Sequence, residues 1–417
     1  MKRLLFWTLL TILPVLLKAQ AGQILQKDFE KKVDFLTATF RVNDHLSIAE
    51  IAVDPENFEL VAIDDKMQAL WRVPFKGSPA GSGNFKGHIL TIGADRAGKS
   101  KDAAVIYTAY MLDEHTGKII LQKTIYTDNA PMEADCKSAF AKDGSWLKII
   151  IRGTGAKRGA RFTAMDKYNE THDLTILDID DQLSATVSKP QLFDGLFAGF
   201  ASTGADGYFI FYLQPDGSLK ASKYLVGQTA PAVSITQDLD MLDKSGSEQV
   251  SYNSTPSETE KDVAYFSILH RNLQKQYELS VCRLDFSQGK GKMVNEELSN
   301  DHLKSIEKAF VRPDKELDDA YVGKGDFLVV KHMADYGGTL IVTYGADFFR
   351  DNYRIQNSSV INAYDKDLNL KFQQVMPSVT VYAPTGNASA SFHNEGDKMY
   401  MVANYGNMKY YTIYGQL

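Results

Sequence analysis

The residues best spaced for chemistry in this sequence run from Gly93 to Ser100. Gly-Ala-Asp-Arg-Ala-Gly-Lys-Ser fits the pattern G-x-x-x-x-G-K-[ST], in which backbone N–H groups cradle phosphate oxygens and the lysine meets their charge. An acid suited to the accompanying Mg²⁺ follows at Asp178, after Leu-Thr-Ile-Leu. Such a loop must open a helix beneath a parallel sheet, whereas Val105 to Tyr126 reads as a hairpin turning at Asp113–Gly117. The octet is therefore read as a solvated connection between two sheets. A second cluster, Gly153 to Arg161, carries Lys157, Arg158 and Arg161 on a Gly-rich stretch after a strand. Displayed on a loop, these cations could hold an anion or an acidic sugar; the other reading is a solubilising loop. Asp178-Ile179-Asp180-Asp181 offers carboxylate oxygens of the kind Ca²⁺ takes, or a turn with solvated carboxylates.

Other catalytic patterns are missing. The eight His never fall at metal-ligand spacing, and no G-x-S-x-G elbow occurs. Cys136 and Cys282 sit far apart in strand-like runs and read as small buried residues, with one long-range bridge as the alternative. Neither a metal nor a cofactor is expected. The 46 basic and 52 acidic residues are interspersed with no basic stripe, which argues against nucleic acid as a partner.

The N-terminus reads as a secretory signal over residues 1–21. Lys2 and Arg3 precede an apolar run from Leu4 to Leu17, and Ala19-Gln20-Ala21 places small residues where a signal peptidase reads. No later stretch is long and apolar enough to span a bilayer as a helix. The expectation is an exported protein, periplasmic or extracellular, with no membrane span after cleavage.

The elements that must position any site are strands. One phrase recurs: an apolar strand, an Asp, a polar turn and a second apolar strand. It begins at Phe58, Val105 and Val360, with looser copies at Asp173, Gly207 and Tyr277. Its turn markers are Asp64, Asp113, Asp178, Asp216, Asp285 and Asp365. A second phrase alternates with it, a tight Gly-containing turn feeding an apolar strand, from Ser138, Gly323 and Ser389. The first reads as the outer hairpin of a four-stranded sheet and the second as the inner hairpin. A unit repeated in this way buries its apolar faces against its neighbours.

On these phrases, the chain resembles β-propeller proteins of the Trp-Asp-repeat and quinoprotein-like type. The spacing is best kept in Leu60 to Val73, where Asp64 precedes Trp71; Leu121 and Phe372 hold the Trp position elsewhere. No Gly-His dipeptide opens the units, so no single propeller family is assigned. The resemblance implies an all-β ring of about seven four-stranded blades over residues 22–417. Loop insertions are expected near 153–171, 237–262 and 296–320. Glu296 to Phe310 reads as a helix capped at Asn300, with Leu303, Ile306 and Phe310 on one face. An N-terminal strand, Val33 to Val42, is expected to pair with the C-terminal sheet and close the ring. The alternative is two β-sandwich domains meeting near residue 230.

Function is less legible. A quinone cofactor goes with Trp-rich blades, and here there are 3 Trp. The repeated Asp-box of sialidase propellers is missing, since Lys142-Asp143-Gly144-Ser145-Trp146 has another order. The expectation is a non-catalytic module that binds an envelope protein or glycan through its loops. The alternative is a hydrolase of carbohydrate or peptide at the channel mouth. Converging carboxylates with raised pKa values would favour it, and a mouth of amides, hydroxyls and aromatics would favour binding.

Overall fold

The computed structural model describes residues 35–43, 45–54, 56–98, 103–129, 133–141, 143–154, 171–241, 250–309, 328–350, 353–376, 380–382, 391–395 and 398–402. The chain divides into two compact units. One is Phe29–Asn387; the other joins Met1–Asp28 to Ala388–Leu417. The signal expected at 1–21 and the cations Lys157, Arg158 and Arg161 lie outside the described residues.

In the large unit, six antiparallel sheets follow one another along the chain, each with its strands in sequence order. The first holds β1 (Phe35–Asn43), β2 (Leu46–Asp54), β3 (Asn57–Asp64) and β4 (Ala69–Lys76). The second holds β5 (Ser78–Phe85), β6 (His88–Arg96), β7 (Val105–Leu112) and β8 (Ile119–Asp128). The third runs β9 (Glu133–Phe140), β10 (Leu147–Thr154), β11 (Thr171–Ile179) and β12 (Ala185–Ser188). The fourth runs β13 (Leu196–Gly204), β14 (Gly207–Leu213), β15 (Ser218–Leu225) and β16 (Val233–Asp238). The fifth runs β17 (Ser251–Pro256), β18 (Val263–Arg271), β19 (Tyr277–Asp285) and β20 (Lys290–Glu297), followed by helix α1 (Asn300–Ala309). The sixth holds β21 (Leu328–Tyr336), β22 (Thr339–Arg350), β23 (Tyr353–Tyr364) and β24 (Leu370–Met376), with β25 (Thr380–Tyr382) on the far end of β23.

Consecutive sheets pack face to face, and their first strands lie side by side: β1 by β5, β5 by β9, β13 by β17, β17 by β21. Each interface has its own apolar cluster. Leu60 and Phe75 meet Ile89 and Leu112 between the first two sheets. Phe209 and Phe211 meet Phe266 and Leu284 between the fourth and fifth. The second strands, covered on both faces, are almost wholly apolar; every residue of β14 is buried. This is the blade architecture of a β-propeller. Residue 230 falls between β15 and β16 of one sheet, so no domain boundary lies there. The strand expected to join the C-terminal sheet, β1, pairs with β2, its own sequence neighbour, and among the described residues no other strand pairs with it. A two-residue turn makes that local hairpin the easier contact to form.

The smaller unit contains one described hairpin, β26 (Ser391–Glu395) with β27 (Lys398–Val402), in the register Ser391↔Val402. Among the described residues, no helix is long and apolar enough to cross a membrane.

The turns share one device. Asp64, Asp180 and Asp365 end a third strand, and each carboxylate accepts backbone N–H groups two and four residues on. The residue between them takes positive φ: Met67 at 61°, Leu183 at 54° and Leu368 at 59°. The same turn recurs with an amide at Asn272, where Lys275 has φ 65°. Two expected markers shift. Asp178 lies within β11, and the turn acid is Asp180; Asp216 turns the second strand of its sheet into the third.

These third-to-fourth turns are gripped by the preceding sheet. Trp71 Nε1 on β4 donates to the Glu114 carbonyl at 3.0 Å. Its indole also fills the place a side chain at Gly117 would take, within 2.7 Å of a Cβ there, and Gly117 has φ 69°. Lys123 on β8 reaches Ser184 Oγ at 2.7 Å and the Gln182 carbonyl at 3.3 Å. Lys292 on β20 reaches the Asp367 carbonyl at 2.6 Å.

In an antiparallel meander the first and third turns share one end, and the second turn and the inter-sheet link share the other. At the first end all links are short, none longer than 226–232. They are tied across sheets by Lys86 N–H to the Gly144 carbonyl at 2.9 Å, and by Lys261 to Asp206 at 2.9 Å. All the long links emerge at the other end: 97–104, 155–170, 239–250, and 298–327 with α1. The links 155–170, 239–250 and 298–327 overlap the stretches 153–171, 237–262 and 296–320, and β17 (Ser251–Pro256) takes up part of the second. Helix α1 starts at Asn300, but the cap is Ser299: its Oγ accepts the His302 N–H at 3.2 Å and its carbonyl the Leu303 N–H. Leu303 and Ile306 are buried as expected, and Phe310 lies outside the described residues.

Candidate functional site

The first strands of the third and fourth sheets, β9 and β13, do not close against each other as β13 and β17 do. They leave a cavity of about 380 Å³. Its wall is Lys137 to Ala139 on β9, Ile150 and Arg152 on β10, Phe197 to Phe200 on β13, and Tyr252 to Ser254 on β17. That volume falls within the range of small-ligand pockets.

Each wall has a local cause. β13 carries a bulge between Phe197 and Gly199, which turns consecutive residues toward the opening. Gly199 lies against β17, and a Cβ there would come within 2.5 Å of Ser254 Oγ. Tyr252 Oη donates to the Phe197 carbonyl at 3.1 Å and Ser254 Oγ to the Phe200 carbonyl at 3.5 Å, zipping the fifth sheet to the fourth. Arg152 lays its guanidinium over the Phe197 ring, 5.3 Å from the centroid, a cation–π contact. Burial raises the Tyr252 and Tyr212 hydroxyls, Tyr212 to about 12, and the Arg152 charge opposes both shifts. Asn253 Oδ1 accepts the Ser254 N–H at 2.8 Å.

The lining thus combines two cations, an amide, hydroxyls and aromatic rings. Among the described residues no Asp, Glu or His lines it. In the β9–β10 ladder, Asp135 stands in register opposite Arg152. The carboxylate shifts elsewhere run downward. Asn57 holds Asp54 low, Thr116 holds Asp113 low, Ser145 holds Asp143 low and Lys261 holds Asp206 low. Burial pushes Asp285 up, but Ser287 and Gln288 outweigh it and leave it low. A glycosidase acid needs the opposite displacement.

Other polar clusters are structural. Lys148 is fully buried, bonded to Asp178 at 2.5 Å and to the Ala205 carbonyl of the next sheet at 2.9 Å. Glu296 on β20 accepts Asn362 Nδ2 at 2.7 Å, Gln373 Nε2 at 2.8 Å and Tyr344 Oη at 3.2 Å, and meets His302 of α1 at 2.8 Å. It joins the helix and the fifth sheet to the sixth. His270 Nε2 lies 2.8 Å from Ser280 Oγ, with Glu278 nearby. This imitates a nucleophile and its base, but Ser280 is 0% exposed and no substrate reaches it.

Of the sequence candidates, Gly93 sits inside β6, which leaves no helix for the phosphate pattern to open. Asp178 serves Lys148. Cys136 and Cys282 are unbridged, in the third and fifth sheets, and burial pushes the Cys282 thiol up to about 12. Arg152, Phe197, Tyr252 and Asn253 were not singled out from sequence. The available signal was the cation itself: Arg152 follows the apolar run Ile149–Ile151 near the end of the strand.

No protein-family model and no curated protein sequence matches the chain. Among solved structures it is similar to BamB from Moraxella catarrhalis, at 11% identity over 88% of this chain and 94% of that one, with a TM-score of 0.35. It is also similar to BBS1N in complex with ARL6DN, at 10% identity over 94% and 97%, TM-score 0.45. Virginiamycin B lyase from Staphylococcus aureus matches at 8% identity over 94% and 99%, TM-score 0.43. Likenesses at this level carry no argument about ligand or chemistry.

Proposed function

We propose that the protein is a non-catalytic binding module that takes its partner, an envelope protein or glycan, at the elaborated end of the sheets. One observation carries this reading. The cavity lies on β10 and on the first strands of the third, fourth and fifth sheets, and its wall offers donors and aromatic rings without an acid–base pair. Export through the signal at 1–21, a periplasmic or extracellular location, and a ring of about seven blades belong to the same proposal. So does a supporting role for Lys157, Arg158 and Arg161, on the link that leaves β10 at Thr154. Replacing all three with Gln is expected to reduce the salt dependence of binding.

A glycan array and capture from an envelope fraction test the reading, with one variant at each end. Asn253→Trp fills the cavity. Leu225→Glu alters an exposed residue at the short-link end. Capture is expected to vanish in the first and persist in the second. Loss in Leu225→Glu alone would move the interface to the other end.

A further inference from the structure

We propose that the short-link end of the first two sheets is the contact face of a two-fold dimer, in which Lys118–Ile120 of each copy docks into a groove on the other. This concerns the end opposite to the one assigned to the partner above and stands independently of that reading.

The first argument is apolar surface built outward into the strands. Of the eight large apolar side chains exposed among the described residues, five lie at this end: Leu70, Ile119, Ile120, Leu225 and Leu370. Leu70 and Ile120 are 55% and 51% exposed, and each is the unpaired residue of a β-bulge. Leu70 falls between the pairs Ile63↔Ala69 and Ala62↔Trp71, and Ile120 between Leu112↔Ile119 and Met111↔Leu121. A bulge of this kind re-aims a side chain. β4 and β8 are the outer strands of their sheets, and among the described residues no further strand covers them. Exposed apolar residues on a sheet edge mark a surface that pairs with another chain.

The second argument is a groove beside that ridge. Asn43, His45, Leu46, Leu70, Glu114 and His115 line a hollow of about 640 Å³. Trp71, next to Leu70, bonds the Glu114 carbonyl and lies against Gly117, so the groove and the segment 118–120 share one support.

The third argument is complementarity, and it selects the occupant. Glu114 places a carboxylate in the groove beside Leu46 and Leu70. Lys118 is exposed and makes no ion pair among the described residues. In a second copy, Lys118 supplies the cation for Glu114, and Ile119 and Ile120 supply apolar surface for the leucines. Groove and ridge lie on one face of one chain, and a face carrying both halves pairs with itself about a two-fold axis. Exposed ion pairs contribute little, so the apolar contacts give the affinity and the two Glu114–Lys118 pairs set the register.

Sedimentation of the full chain over a concentration series tests the proposal. A reversible dimer is expected. Leu70→Glu and Ile120→Glu sit at exposed positions and should each weaken it about tenfold or more by bringing a charge into the contact. Glu114→Lys alone and Lys118→Glu alone each set like charges across the axis twice and should weaken it about tenfold. An equimolar mixture of those two variants restores both opposite-charge contacts and should dimerise like the wild type, as should the double variant. Asn253→Trp should leave the dimer intact. A chain that stays monomeric throughout would overturn the proposal, as would a dimer indifferent to both Leu70→Glu and Ile120→Glu. Failure of the mixture to recover would overturn the register, and open-ended assembly would overturn the two-fold. A monomeric wild type whose envelope capture is lost in Leu70→Glu would give the groove to another protein and overturn the second copy.

Discussion

At the residue scale, the sequence shows which side chains are polar but not which are buried. His332 and His270 look alike in sequence to the exposed His45 and His115, yet burial lowers the pKa of both, His332 to about 4. His332 lies on β21 with Nε2 3.1 Å from Tyr336 Oη. The unfolded chain takes up that proton near its ordinary 6.5, and the folded protein only near 4. Stability is therefore full above pH 6.5 and is lost as pH falls toward 4. His332→Gln should flatten this window: between pH 7.5 and 4.5, urea melts should show the wild type losing about 1–3 kcal/mol more than the variant. Equal losses would mean that the ring is protonated in the fold. The low-lying turn carboxylates act below that window, losing their contribution as pH falls under the ordinary Asp value near 4. Arg152 shows the same limit of legibility. Its partners Phe197 and Tyr252 arrive from strands some fifty and a hundred residues on, and no local pattern joins them.

At the element scale, strands and turns were the legible part, and the misplacements have simple causes. Asp178 and Asp180 point to the same face of a strand, since side chains alternate with period two; only the length of the ladder, to Ile179, decides which one turns the chain. Asp216-Gly217 has the same chemistry as any hairpin turn, and that chemistry does not say which two strands it joins. The positive-φ residues were invisible, because three of the four in these turns are neither Gly nor polar. Leu183 and Leu368 are buried at that position, whereas Met67 is partly exposed. The strained conformation costs about 1–2 kcal/mol, and burial of a leucine returns about 2–5 kcal/mol. Met67→Gly should therefore leave stability unchanged or raise it slightly. Leu183→Gly should lower it by about 1–3 kcal/mol in chemical denaturation. Stabilisation by Leu183→Gly would show that the leucine does not secure its turn.

At the scale of the whole unit, the sequence conveyed serial sheets but not how one holds the next. Trp71, which in sequence only marks the spacing after Asp64, serves the following sheet, at Glu114 and Gly117. Lys148, a lone cation in an otherwise apolar stretch of β10, crosses from the third sheet to the fourth with no exposure. Burial lowers its pKa and Asp178 opposes the shift. Lys148→Met leaves that carboxylate without its cation. It should cost about 3 kcal/mol, at the low end for breaking a buried pair because Asp178 remains partly in water. Lys148→Met with Asp178→Leu should recover most of the loss. A single variant as stable as the wild type would show that the pair does not secure this interface.

The grips from Trp71, Lys123 and Lys292 all point forward along the chain. A polypeptide emerging N-terminus first from a ribosome or a translocation pore can zip each meander from its own hairpins as soon as four strands are out. That meander still waits, with one apolar flank bare, for its successor to arrive and be clasped. Maturation of this protein thus has a built-in direction, and a chaperone that shields a leading flank would be needed only for the time taken to deliver one more meander.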